Sequence, residues 1–521
     1  MKSRVVIERN TLVKRWDRAE LKICLCSPTP YEVSVLSLAL QIIYGMWNLR
    51  EDVLCERAFP NVYNGIYSLE TKHKLSEFDV LAFSLQYETD LINVLNILRK
   101  NKIPLLSCER GREHPVLIAG GPLIMQNPRP FSEIFDVLFI GELEELSNEF
   151  LDSLKSSVEK GSIDSIIGLP CVYTSKFKEK RVKRCYVKNL NTCFYPTTQF
   201  YPEGIKIAFG PSFLLEISRG CSYNCKFCLA RSIYRPLRIR SLKRVKEILD
   251  EGLKNTNLDI VSIISFAAAD HPELVEILET IVSRGLKFTL PSVRIDKVPF
   301  DVLKLLRKIK QKSITIAPEV GSERLASAIG KEIYPEEVTK LAKELYEIGF
   351  RKIKMYFMIG FPEESEKDVA EIPKLIENLV SIGFSRINVS INPLIPKPHT
   401  PLQWSPFIEM KEFKKKKKII IEGIKHRGIV RLSFLKWREG VIQTIIARGN
   451  ERVGMRLVKA ERDSFLNKRR AYFELLKCLA KDKRPLFGFS LDDALPWEVV
   501  DVGIRKKFLI KEFEDYCSNL F

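Results

Sequence analysis

Between residues 20 and 155, short apolar runs alternate with stretches in which apolar positions recur at helical spacing. The runs "LKICLCS" (21–27), "EDVLCERAF" (51–59), "FDVLAFSL" (78–85), "HPVLIAGG" (114–121) and "FDVLFIGE" (135–142) read as strands. A helix from about residue 32 and another at 90–99 fall between them. This alternation predicts an α/β fold, with a parallel sheet covered on both faces, over residues 1–155. Each run ends in small or polar residues, the edge at which open α/β sheets bind ligands. Residues 156–208 lose the pattern and read as a connector, with strand-like pieces "CVYTSKF" (171–177) and "KRCYVKNL" (183–190).

From 213 the alternation returns in six units: "FLLEIS" (213–218), "IVSIISF" (260–266), "KFTLPSV" (287–293), "SITIAPEV" (313–320), "KIKMYFMIG" (352–360) and "RINVSIN" (386–392). Amphipathic stretches such as "PEEVTKLAKELYEIG" (335–349) separate them. Residues 209–430 are therefore expected to form a partial (β/α)6 barrel, with active-site groups at the C-terminal strand ends. Residues 431–521 read as a mostly helical C-terminal region.

Bulk properties narrow the setting. With 521 residues, 45% of them hydrophobic and 29% charged, the chain suits two or three domains with buried cores. No apolar run approaches a membrane span; "VSVLSLALQIIYGMW" (33–47) reads as a buried helix. "MKSRVVIERN" lacks the apolar segment of a secretion signal, so the expected location is the cytoplasm, without a membrane partner. There the twelve cysteines are expected as reduced thiols or metal ligands rather than as a disulfide framework. The formal charge of +19 raises the question of nucleic acid. Lys414 to Lys418 are consecutive within "KEFKKKKKIIIEGIKHRG" (411–428), and on a helix they point all round it. The run reads as a solvated helix, with a weak polyanion site as the alternative.

One stretch, "RGCSYNCKFCLARSIYRP" (219–236), places Cys221, Cys225 and Cys228 within eight positions, directly after the first strand of the barrel. A structural zinc site wants four closed ligands, usually paired CxxC or Cys/His sets, and no second CxxC or nearby histidine exists. An iron–sulfur cluster of the [4Fe–4S] type normally takes four thiolates, so three leave one iron open for chemistry.

This CxxxCxxC spacing, with Phe227 before the last cysteine, resembles the hallmark of the radical S-adenosylmethionine (SAM) superfamily. The resemblance implies that Cys221, Cys225 and Cys228 hold a [4Fe–4S] cluster whose open iron chelates SAM. The reduced cluster then gives one electron to the sulfonium, releasing a 5′-deoxyadenosyl radical that abstracts hydrogen from a substrate. It also implies a low-potential electron donor such as ferredoxin or flavodoxin. By the same resemblance, polar groups after the fourth strand bind the ribose and the methionine carboxylate. Glu319, Ser322 and Arg324 in "SITIAPEVGSERL" (313–325) occupy that place; alternatively, Glu319 and Arg324 pair with each other or cap the next helix. "MYFMIGFPEES" (355–365) resembles the adenine-contacting segment, with Gly360 and Pro362 allowing close backbone approach. The usual Gly-Gly-Glu-like motif after the second strand is replaced by "SFAAADHPE" (265–273), where Asp270 is the substitute. His399, in "INPLIPKPHTPLQW" (391–404), reads first as a buried structural histidine and second as an acid–base group.

The whole arrangement, a Rossmann-like domain before such a barrel, resembles the cobalamin-binding class of the superfamily. "LIAGGPLIMQNPRPF" (117–131) and "DVLFIGELEEL" (136–146) resemble segments of that class, and Gly120 and Gly121 would admit a nucleotide-like tail. The Asp-x-His-x-x-Gly motif that supplies a cobalt ligand is absent, which leaves cobalamin open as a third cofactor beside the cluster and SAM. The phrases "CERAFP", "SLQYE", "LPSVRID" (290–296) and "LPWEVVDVGIRKKFLIKE" (495–512) extend the likeness over nearly the whole chain. Cys24 and Cys55 lie in strand-like runs and read as core, and Cys108 as loop; with them stands the alternative of a second cluster, as in tRNA methylthiotransferases. The expected function is a radical SAM enzyme that methylates or otherwise modifies a small molecule. The alternatives are a tRNA-modifying radical enzyme and a non-catalytic iron–sulfur protein.

Overall fold

The computed structural model describes residues 6–520, apart from 178, 209, 291–293, 295–296 and 479–482. Most of the phrase 290–296 thus lies outside the described residues. The first unit is a six-stranded sheet of β1 (Leu21–Cys26), β2 (Val53–Ala58), β3 (Val80–Ser84), β4 (Val116–Gly120), β5 (Val137–Phe139) and β6 (Val172–Tyr173). Its order is β2-β1-β3-β4-β5-β6. The first five strands run parallel, and β6, supplied by the connector, is antiparallel to β5. Every residue of β2 is buried, and only Lys22 of β1 is partly exposed, as a central parallel sheet demands. Helix α1 (Leu38–Asn48) and helix α2 (Asp90–Lys100) bury their apolar faces on it.

The connector is stitched to this sheet where it matters. The backbone N–H of Ile140 donates to the Cys171 carbonyl at 2.7 Å, and that of Glu142 to the Cys185 carbonyl at 3.0 Å. Cys171 and Cys185 are disulfide-bonded, which departs from the expectation of reduced thiols; the other ten cysteines are free, so no framework exists. The pairing follows from register: both cysteines flank the Ile140–Glu142 segment.

The barrel comprises two parallel sheets. One is β7 (Phe213–Glu216), β8 (Ile260–Ile264) and β9 (Lys287–Thr289). The other is β10 (Ser313–Glu319), β11 (Lys352–Ile359), β12 (Arg386–Pro393) and β13 (Val430–Phe434). The strand β13 makes a seventh unit where six were expected, so the C-terminal region begins with a barrel strand rather than a helix. Its alternating burial shows why "VRLSF" was read as tail: only every second side chain turns inward. The amphipathic stretch from 335 is a helix over Pro335–Glu347, as its spacing predicted. Helix α3 (Met410–Gly423) carries the lysine run, and the chain ends in helix α4 (Lys506–Ser518). Among the described residues, no helix is long and apolar enough to cross a membrane.

Candidate cluster and cofactor site

The cysteine loop is closed at its base. Ser218–Arg219 pairs antiparallel with Arg238–Ile239, so residues 220–237 form a loop at the C-terminal end of β7. Gly220 opens it with φ +94°, and a Cβ there would lie 2.5 Å from the carbonyl oxygens of Tyr234 and Pro236. All three thiols are free; Cys225 is buried, and Cys221 and Cys228 are half-buried. Burial pushes the Cys225 thiol up to about 12, opposed by the cation of Lys331, with Cys221 and Cys228 close enough to add to the shift. Burial likewise raises Cys221. Among the described residues, no three His, Cys, Asp or Glu side chains converge to hold a single metal ion. Three soft sulfur donors on one loop fit an iron–sulfur cluster, which spreads its thiolates over separate irons.

Other candidate residues assemble around this loop. Glu319, at the end of β10, has φ +73° beside a register shift that begins after Ile316. A non-glycine residue in this region is uncommon and marks sites held under constraint. Its carboxylate accepts from Lys331 Nζ at 2.7 Å, so Glu319 and Cys225 share one cation. Phe227 meets Phe361 edge-on, ring centroids 6.0 Å apart, which seats the segment containing Gly360 and Pro362 against the cysteine loop. Gly360 has φ +91°, with Ile408 where a side chain would stand, and its N–H donates to Glu364 Oε2 at 2.6 Å. Asp270 accepts from the hydroxyls of Ser222 and Tyr223, tying the end of β8 to the same loop.

Ser322 and Arg324 take a different course. Both give their polar atoms to Asp368: Ser322 Oγ at 2.6 Å and Arg324 Nη2 at 2.5 Å. Burial pushes the Asp368 carboxyl up, but the Arg324 guanidinium and the Ser322 and Ser365 hydroxyls outweigh it and hold it far below the usual range. Asp368, forty-four residues downstream of Arg324, had no signal in the sequence near either residue. His399 is buried, its Nε2 3.1 Å from the Gln126 carbonyl oxygen, and burial depresses it to about 4. It therefore packs between the two units, the structural role expected first.

A cavity of about 360 Å³ lies between the sheet domain and the barrel. Leu38, Ile42, Met46, Trp47 and Phe139 give it apolar walls, and Gly120 and Gly121 line it at the strand ends. Gly121 has φ +103°, and a Cβ there would lie 2.6 Å from the Leu85 carbonyl, so its freedom serves the chain's own packing; at Gly120 a Cβ would meet only Phe139, at an ordinary contact distance of 3.6 Å. On the barrel side stand Glu216, Arg219, Tyr234 and Phe266, at both ends of the cysteine loop and just after β8. Arg219 is the link that sequence reasoning missed. Buried, it donates to Glu142 at 3.0 Å, Glu144 at 2.8 Å and Glu216 at 2.8 Å. Glu142 also accepts from Arg238 at 2.7 Å. The "GELEE" segment and "RG" before Cys221 were the available signals, each visible alone but not as partners. Cys24 and Cys55 are core residues and Cys108 is exposed at the opposite end of the sheet, beside His114, so these three are not gathered. His73 stacks on Trp16 at 3.7 Å, and no histidine lines the interdomain cavity among the described residues.

Comparison with known proteins matches residues 215–392 to the family described as Radical SAM superfamily and 39–165 to Radical SAM proteins, N-terminal. An uncharacterized protein of Methanocaldococcus jannaschii is 32% identical over 433 residues, 82% of this chain and 89% of that protein. The chain belongs to the radical SAM superfamily. As in that superfamily, a [4Fe–4S] cluster and SAM are its implied cofactors. A second relative, an uncharacterized methyltransferase of Pyrococcus horikoshii, is 24% identical over 301 residues, 56% of this chain and 62% of that one. The fold of this chain is similar to that of the radical SAM methyltransferase TsrM from Kitasatospora setae, solved with cobalamin and a [4Fe–4S] cluster bound. The TM-score is 0.56 at 10% identity, over 88% of this chain and 99% of the other.

Proposed function

We propose that Cys221, Cys225 and Cys228 hold the cluster of this radical SAM enzyme and that it modifies a small molecule by methyl transfer, with a corrinoid seated between its two units. The observation that carries the reading is the shared wall: Glu216, Arg219 and Tyr234 bound both the cysteine loop and the interdomain cavity. Bound at the loop, the cluster supplies the electron that cleaves SAM. Glu319, which shares the Lys331 cation with Cys225, offers a carboxylate to vicinal hydroxyls. Phe227, Gly360 and Pro362 form the adenine side, and Ser322 and Arg324 brace that wall through Asp368. The cavity's size suits a nucleotide-sized group, its walls are apolar, and Gly120 allows close backbone approach. Among the described residues no histidine lines it, so the cavity wall as described offers no imidazole.

The test uses two variants. Cys225→Ala should abolish cluster loading and 5′-deoxyadenosine formation; a variant that still forms 5′-deoxyadenosine normally overturns the ligand assignment. The triple Cys221/Cys225/Cys228→Ala variant, free of cluster absorbance, is mixed with hydroxocobalamin, desalted and examined by visible spectroscopy. Stoichiometric corrinoid retention supports methyl transfer; a folded variant that retains none rejects the corrinoid.

A further inference from the structure

The helix α4 lies almost three hundred residues beyond the cysteine loop, yet its contacts converge on the site. Arg231, 1% exposed, donates through Nη1 to the carbonyl of Asn224 at 2.9 Å, immediately before Cys225. Through Nη2 the same guanidinium donates to Glu512 Oε2 on α4 at 2.7 Å. The Tyr516 hydroxyl donates to the Pro362 carbonyl at 2.6 Å, on the turn that follows Gly360. Just beyond the helix, the Leu520 carbonyl accepts from Arg324 Nη1 at 2.8 Å. Between these contacts, Tyr516, Phe513 and Cys517 share one apolar cluster with Phe227, Phe361 and Met358. One helix thus reaches the backbone before Cys225 through Arg231, shares an apolar cluster with the aromatic residue before Cys228, and bonds the turn carrying Gly360 and Pro362.

We propose that Arg231, Glu512 and Tyr516 are positioning residues: the C-terminal helix sets the separation between the cysteine loop and the Gly360–Pro362 turn, and so governs SAM binding at a loaded cluster. This rests on the reading under Proposed function that these two segments face the cluster and SAM. The guanidinium is a planar fork, so it fixes both direction and distance between the Asn224 carbonyl and Glu512. A buried cation stripped of its carboxylate is costly, which makes the loop's conformation depend on the helix. The hydroxyl of Tyr516 sets the second point, and two points on a rigid helix define a spacing. None of these residues touches a thiolate, so cluster loading itself does not require them.

The reconstituted full-length protein and the variants Tyr516→Phe and Glu512→Gln are compared for iron content, thermal midpoint, SAM affinity and the EPR signal of the reduced cluster. Tyr516→Phe removes one hydroxyl and leaves the packing intact. Wild-type iron is expected in both. SAM should bind about fivefold more weakly in Tyr516→Phe and about tenfold or more in Glu512→Gln, the loss of a neutral and a charge-assisted hydrogen bond. The SAM-induced change in the EPR spectrum should weaken in parallel. Unchanged SAM affinity and spectra in both variants overturn the inference while leaving the cluster assignment standing. SAM affinity that falls only in proportion to lost iron also overturns it, because the helix would then be a folding support alone. A wild-type protein that takes up no cluster overturns the site reading and this inference with it.

Discussion

Among the five consecutive lysines, Lys416 is 3% exposed, while Lys414 and Lys415 are in solvent. Its ammonium donates to Glu364 Oε2 at 2.8 Å and to the Glu364 carbonyl at 2.9 Å, and Glu364 in turn accepts from Gly360 N–H. Lys416→Met keeps the aliphatic volume and removes the cation, leaving a carboxylate buried beside the Gly360 turn. Breaking a buried pair by removing one partner costs about 3–5 kcal/mol, whereas Lys414→Met, at an exposed position, should stay within about 0.5 kcal/mol of wild type. Burial already raises the Glu364 carboxyl, with Lys416 as the main opposing influence. Without the cation the carboxyl rises further, so it takes up a proton in the folded variant before it does in the unfolded chain. Stability of Lys416→Met relative to wild type should therefore recover as pH falls through that raised range. The assay is urea unfolding followed by tryptophan emission, at pH 7 and pH 5.5, including the double variant Glu364→Gln/Lys416→Met. The double variant should recover most of the loss at pH 7, because no buried charge remains unpaired. A Lys416→Met protein as stable as Lys414→Met, or a double variant no better than the single, refutes the argument.

Further expectations concern the cavity, the interface histidine and the surface. Gly120→Leu adds a side chain beside Phe139 on the cavity wall and should abolish hydroxocobalamin retention at unchanged iron content; retained corrinoid would place it elsewhere. His399 is neutral when folded, since burial depresses it to about 4 from an ordinary value near 6.5. The unfolded chain therefore gains a proton first, and stability falls as pH drops from about 6.5 to 4, by about 3 kcal/mol in all. In His399→Asn, urea midpoints between those pH values should lose most of that slope. With a charge of +19, tRNA should be retained at low salt and released steeply between about 50 and 200 mM salt. Filter binding that finds one tRNA species preferred at physiological salt would instead favour RNA as the substrate.

The two α/β units were legible because their strands are short apolar runs with breaks at fixed places, and the cysteine loop because three thiols in eight positions leave few chemistries. Less legible were the partners. The lysine run looked uniform, although Phe413, Lys416 and Ile420 mark one buried stripe at helical spacing. Ser322 and Arg324 were read toward SAM, but each needed Asp368, contributed from the next βα unit, to reveal its immediate partner. β13 escaped because Arg431 and Ser433 interrupt its apolar positions and it starts one residue after "KHRG". Local pattern reports which face of an element is buried; it does not report what charged group waits across the interface.

The salt-bridged arginines at the mouth of the cysteine loop bear on how the protein can be made. In a barrel expressed from residue 209 onward, Arg219 would keep Glu216 and lose Glu142 and Glu144, and Arg238 would lose its carboxylate as well. His399 would lose the Gln126 carbonyl, and the carbonyls of Ala447 and Gly449 would lose Asn127. Modular dissection, the usual shortcut for two-domain enzymes, would thus deliver a barrel with Arg238 unneutralised and Arg219 left with one carboxylate of three at the base of the very loop under study. The intact polypeptide, which keeps these ion pairs and hydrogen bonds, is therefore the form in which to load the cluster.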